Sequence, residues 1–194
     1  MNRASLMSVS AALLACAALS ACQTTGASRA DVAKVAVADS NYANEKTDWG
    51  ISPRNDLLIG GYHARTPATV PGARTIATAD LQTLIAADPS VVLVDVLDGK
   101  AHPSLPQAVW MPDAGLDKSF QDATQKKLGE RLAGLTGGDP KRPVVFYCLS
   151  AECWLSYNAS LRAARLGYQS VYWYRGGLEA WKAAGLPTAA IERL

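Results

Sequence analysis

After Gly72 the chain alternates short apolar runs with longer segments whose apolar residues recur at helical spacing. Arg74–Ile76 reads as a short strand, and Thr78 as the cap of a helix to Ala87 with Leu81, Leu84 and Ile85 on one face. Asp88-Pro89 stops that helix. Val91–Val94 is a continuous apolar run ending in Asp95-Val96, the pattern of a strand buried on both faces of a parallel sheet. Ala108–Trp110 is a further short strand. Leu116–Leu135 reads as a loosely amphipathic helix closed by Gly137-Gly138-Asp139-Pro140, and Val144–Tyr147 as a strand running into Cys148. A helix from about Cys153 to Leu166, a strand Ser170–Trp173 and a helix Leu178–Ala184 complete the series. The pattern predicts an α/β fold with a mainly parallel central sheet and helices on both faces. Sites in such folds lie beyond the carboxyl ends of strands, where Cys148 falls.

Upstream the pattern weakens. Residues 39–73 hold charges, Asn and spaced prolines at Pro67 and Pro71, which predicts an extended segment packed on the domain at 74–194. His63 lies in this stretch, where packing or surface roles are expected of it. Residues 22–38 are small, polar and Ala-rich, suited to a flexible tether. Ala4–Ala21 is small and apolar after the single charge of Arg3, so residues 1–21 read as a secretory leader too short for a free-standing membrane span. Its end, Leu19-Ser20-Ala21-Cys22, resembles the bacterial lipobox, which implies lipid on Cys22 and a membrane anchor. Ordinary cleavage beside an unmodified Cys22 is the alternative. By the same resemblance, Gln23 in place of Asp points to the outer membrane, hence a periplasmic, lipid-anchored protein.

Composition narrows the chemistry. With 194 residues, 49% hydrophobic and 19% charged, the chain suits one domain with a buried core. The formal charge of +2 is spread thinly, with short pairs at Lys126-Lys127 and Lys141-Arg142, so nucleic acid is not an expected partner. Of the four cysteines, Cys16 leaves with the leader and Cys22 takes lipid, which leaves Cys148 and Cys153. Two cysteines with the remote His63 and His102 lack the ligand spacing of a zinc site, and no metal or other cofactor is expected. No histidine follows Cys153, which excludes the usual haem attachment motif. His102, beside Pro103, is expected at the surface.

The order of motifs resembles the rhodanese-like domain family. Val91–Val96 (VVLVDV) is similar to its first strand motif, Leu105–Pro112 (LPQAVWMP) to its "IPGAxxIP" segment, and Val144–Cys148 to the strand into its catalytic cysteine. Val171–Trp181 with Ala184–Pro187 resembles the closing "GGxxAWxxAGLP" signature. The Cys153-Trp154 pair, Leu155–Ala159 and Tyr62–Gly72 further resemble a bacterial subgroup named for a CXXCW motif. That subgroup is associated with pyrroloquinoline-quinone (PQQ)-dependent alcohol catabolism. Four residues separate the two cysteines here. The resemblance implies a sulfurtransferase-type role, with components of the PQQ-dependent dehydrogenase system as partners.

By that resemblance, Cys148 accepts sulfane sulfur from a donor and passes it to a thiol, cradled by the amides of the loop Leu149, Ser150, Ala151 and Glu152 and by Cys153. A thiol at a strand end, just before a helix start, lies where partial positive charge favours thiolate. The loop contains no Lys or Arg and carries Glu152, which disfavours the thiosulfate dianion. Trp154 stands where a phosphatase would place its phosphate-clamping Arg. Cys153 suggests a resolving partner that attacks the sulfur held on Cys148. A permanent staple and a pair of inert thiols are the alternatives, the staple belonging to a non-catalytic binding module. Asp95, at the end of a buried strand, is expected to support the loop, and Trp154 to pack or to shield the sulfur.

Overall fold

The structure is a computed structural model that describes Met1 and residues 26–116 and 118–194. The apolar stretch of the expected leader and Cys22 lie outside the described residues. The first described helix, α1 (Arg29–Ala33), falls within the expected tether. Ser28 and Asp31 form a reciprocal capping box, and Val32 is buried. The Arg29 guanidinium donates to the Pro89 and Val91 carbonyls at 3.1 and 2.7 Å, and Gln82 donates to the Val32 and Val35 carbonyls. Residues 28–35 are therefore docked on the domain, because the cap satisfies the helix start and Val32 adds to the core.

Five strands follow: β1 (Arg74–Ile76), β2 (Val92–Asp95), β3 (Val109–Trp110), β4 (Val144–Tyr147) and β5 (Val171–Tyr174). All pair in parallel, in the order β1-β5-β4-β2-β3. Every side chain of β2 and β4 is buried, as their unbroken apolar runs require. On one face Val92, Val94, Val144 and Phe146 pack against α3 (Ala123–Thr136) and α4 (Trp154–Arg165). On the other, Leu93, Val145 and Tyr147 pack against α2 (Thr78–Ala87) and α5 (Gly177–Ala183). The expected α/β architecture, with helices on both faces, is the one observed.

Two helix starts differ from expectation. Thr78 does not cap α2; Ala77 holds that position, and Thr78 donates its N–H and hydroxyl to Glu45 Oε2 at 2.9 and 2.7 Å. A carboxylate from a distant segment thus does the capping. Helix α3 begins at Ala123 rather than Leu116, with Asp122 accepting from the Gln125 N–H. The carbonyls of Leu116 and Ser119 are held by the buried Arg162, at 2.6 and 2.9 Å, which removes that turn from the helix.

Of residues 39–73, Tyr42 and Ala43 pack on the α2/α5 face, while 51–73 wrap the α4 side. Leu57 and Val70 join Trp154, Tyr157, Leu161 and Trp173 in a third apolar cluster. Asn158 accepts from the Leu58 N–H at 3.0 Å and donates to the Leu58 and Gly115 carbonyls, both at 2.9 Å. At the opposite edge the C-terminal residues cover β3, with Ser104 and Ala189 exchanging N–H···O bonds of 2.8 Å.

Candidate active site

Strand β4 lies inside the sheet, so Cys148 emerges at the middle of its carboxyl edge. The chain then turns through Leu149–Glu152, and Cys153 becomes the N-cap of the 12-residue α4. Cys148 and Cys153 form a disulfide with their Cα atoms 6.2 Å apart, inside the range the bond needs. Each residue is only 1% exposed. Val96, Met111, Ala114 and Leu155 belong to the same apolar cluster as the two cysteines.

The loop is held from two sides. At its start, the Cys148 and Leu149 carbonyls accept from the Leu178 and Glu179 N–H groups of α5, at 3.0 and 2.9 Å. This approach requires Gly177, whose φ of +59° is left-handed and whose added Cβ would stand 2.4 Å from the Cys148 oxygen. At its end, Trp154 donates its backbone N–H to Tyr62 at 2.8 Å and its indole N–H to the Arg65 carbonyl at 3.1 Å. Trp154 is 5% exposed and packs on Tyr157. Of its two expected roles, the structure puts it in the core. His63 forms a backbone bridge with Cys153 while its side chain stays exposed, 4.0 Å from Asp98.

Outside the loop is an open polar cavity of about 270 Å³, lined by Ala43, Asn44, Trp49, Ser150, Ala151, Glu152 and Glu179. Leu149 is partly exposed on the same loop. The loop's lack of basic residues is partly offset by Arg65, whose guanidinium lies 3.6 Å from Glu152. That cation comes from the extended segment, far from the loop in sequence.

Asp95 supports a different loop from the one expected. Its Oδ1 accepts from the Leu97 N–H at 2.9 Å, and its Oδ2 faces Ser104 Oγ and, at 3.0 Å, His102 Nε2. These contacts order residues 97–104 rather than 148–153. The link to the cysteine loop is indirect, through the 2.7 Å contact of Ser104 Oγ with the Tyr147 hydroxyl. Burial, reinforced by the Asp95 charge, pushes the Tyr147 phenol well above its usual range, so it stays neutral. His102 is not the surface residue expected: its side chain is 17% exposed, its Nδ1 meets the Lys100 carbonyl at 2.9 Å, and its ring stands edge-on to Trp110.

Two further residues brace the site and were not singled out from sequence. Arg175, 1% exposed, donates to the carbonyls of Glu45, Thr47 and Thr66 at 3.0, 2.7 and 3.0 Å, and stacks over Trp49. Glu45, 4% exposed, is the cap of α2. Burial raises the Glu45 pKa, against the lowering effect of the Thr78 bonds, and burial lowers that of Arg175. The signal for Arg175 was its position, a cation directly after the apolar strand Val171–Tyr174. For Glu45 there was no local signal.

A family model described as the Rhodanese-like domain matches residues 77–184. No curated protein matches the chain. Solved structures similar to it include a polysulfide-sulfur transferase homodimer from Wolinella succinogenes, 23% identical over 62% of this chain and 80% of that one, with a TM-score of 0.43. A protein from Anabaena sp. is 23% identical over 60% of this chain and 80% of its own, with a TM-score of 0.46. A full-length protein from Lactobacillus plantarum is 24% identical over 60% and 87%, with a TM-score of 0.46.

Proposed function

Because the chain belongs to the rhodanese-like domain family, we propose that it handles sulfane sulfur or exchanges disulfides through Cys148, with Cys153 as the resolving thiol. The observation that carries this reading is the Cys148–Cys153 bond across the loop between β4 and α4. An incoming thiolate attacks Cys148 Sγ, the disulfide opens, and Cys153 leaves as a thiolate at the N-cap position of α4. That positive helix end favours the leaving thiolate and makes Cys148 the sulfur to attack. In reverse, the Cys153 thiolate attacks Cys148 Sγ and expels whatever sulfur species Cys148 carries.

The proposal extends to place and partner. The leader-like stretch with Cys22 supports a lipid-anchored protein of the periplasm, held at the outer membrane. The similarity of Tyr62–Gly72 and Cys153–Ala159 to the CXXCW subgroup supports an accessory role in PQQ-dependent alcohol oxidation. Those two stretches touch, through the Trp154 bonds to Tyr62 and Arg65. A second reading, a binding module with a structural disulfide, is favoured by the burial of both sulfur-bearing residues.

Intact-mass measurement of Cys153→Ser after treatment with a mixed-disulfide reagent tests the resolving role. The variant is expected to retain the adduct on Cys148, while wild type sheds it and recloses the loop. Equal adduct lifetimes in the two proteins contradict that role.

A further inference from the structure

We propose that the oxidised loop loads its sulfur from hydrosulfide, the fully reduced form of the element. The inference rests on the reading above that the Cys148–Cys153 bond is exchangeable. A reduced acceptor cysteine needs sulfur already at the sulfane level. A loop closed by a disulfide carries a two-electron oxidant of its own and accepts sulfide directly.

The step balances without an outside reagent. HS⁻ attacks Cys148 Sγ, the Sγ–Sγ bond breaks, and Cys153 departs as a thiolate. Cys148 then carries an S–SH group whose proton came with the nucleophile. The incoming sulfur is oxidised by two electrons and the disulfide is reduced by the same two. An acceptor thiolate then attacks the outer sulfur, leaves as a hydropersulfide and returns Cys148 as a thiolate. The remaining dithiol is reoxidised by exchange with another disulfide, of a protein or a small molecule.

The surroundings select for this nucleophile. Cys148 and Cys153 are each 1% exposed and share one apolar cluster with Val96, Met111, Ala114 and Leu155, so the smallest thiol meets the least obstruction. Neutral H₂S carries no charge into such a lining, and the proton it loses on attack passes to the departing Cys153 sulfur. On the solvent side, Glu152 and Glu179 line the adjoining cavity, and Arg65 is already beside Glu152. A dianion such as thiosulfate meets two carboxylates there; a singly charged or neutral sulfide meets much less repulsion.

The test uses the full chain purified without reductant and treated with stoichiometric sodium sulfide, then alkylated and analysed by intact mass and peptide mapping. Wild type is expected to gain one sulfur and two alkyl groups, with the extra sulfur on Cys148 as an alkylated persulfide and an alkylated thiol on Cys153. Cys153→Ser, which has no bond to open, is expected to gain nothing from sulfide yet to load sulfur from inorganic polysulfide. Opening by 2-mercaptoethanol but not by sulfide overturns the hydrosulfide inference and leaves the exchange reading standing. Resistance of the folded protein to both overturns the two together.

Discussion

Arg175 grips Thr66 twice, donating through Nε to its hydroxyl at 3.1 Å and through Nη2 to its carbonyl at 3.0 Å. Thr66 in turn donates that hydroxyl to the Ala151 carbonyl at 2.6 Å. A buried cation on β5's end thereby fixes the loop between the two cysteines through a residue of the extended segment. Replacing Arg175 with Ala strands several buried carbonyls, which is expected to cost about 3 kcal/mol in urea unfolding. Arg175→Lys keeps the charge but cannot reproduce the planar fork, so it recovers only part of the loss. In either variant a phosphine is expected to reduce the disulfide faster than in wild type. An unchanged reduction rate would separate the Arg175 brace from the loop.

Glu45 and Asp122 give stability opposite pH dependences. Burial raises the Glu45 pKa despite the Thr78 bonds, so its contribution is fully present below the ordinary Glu value of about 4.3 and is lost as pH rises through the higher folded value. For Asp122, burial pushes upward, but bonds from Arg162 and from the Ser119 and Gln125 N–H groups outweigh it and hold the pKa at about 2. Its contribution, on the order of 2 kcal/mol, is present above the unfolded Asp value of about 3.9 and disappears as pH falls toward the folded one. Urea unfolding across pH checks both: Glu45→Gln is expected to lack the gain that wild type shows on mild acidification. Asp122→Asn is expected to flatten the steep loss at lower pH. Parallel curves for wild type and Glu45→Gln would remove Glu45 from the account.

Gly177→Ala tests the clamp at the start of the loop. The left-handed φ and the 2.4 Å approach of a Cβ to the Cys148 oxygen leave no room for a methyl group. The expected loss is about 2–4 kcal/mol by urea unfolding, combining overpacking with the cost of that conformation. Gly134→Ala, inside α3 with open space around its Cβ, is the opposite case and is expected to gain about 0.5–1 kcal/mol. Equal effects of the two changes would contradict the packing described around Cys148.

The strands were legible because β2 and β4 are buried on both faces and their sequences are unbroken apolar runs. Local patterning also located Cys148, Cys153 and the loop between them. What it missed was decided by partners distant in sequence. Leu116–Gln121 has residues compatible with a helix, but Arg162 takes its carbonyls. Thr78 has the chemistry of a cap, but Glu45 supplies the carboxylate. Asp95 and His102 are both polar residues near a strand end; only tertiary structure shows that they meet each other rather than the cysteine loop. Residues 28–35 are too short a stretch to display an amphipathic period, so their docking through Arg29, Val32 and Gln82 left no trace in the hydrophobic pattern.

The sheet order also governs how the chain reaches this structure. β1 pairs with β5, Arg74 opposite Tyr172 and Ile76 opposite Tyr174, although nearly a hundred residues separate them. β4, between β5 and β2, likewise gains its second neighbour only when the final strand arrives. Assembly is thus a long-range event limited by loop closure rather than by local helix formation. A chain emerging amino end first holds β1 without any partner and β4 without its second until Val171–Tyr174 is available. The small ring closed by Cys148 and Cys153 shortens none of those distances, so it secures the local loop without hastening completion of the sheet.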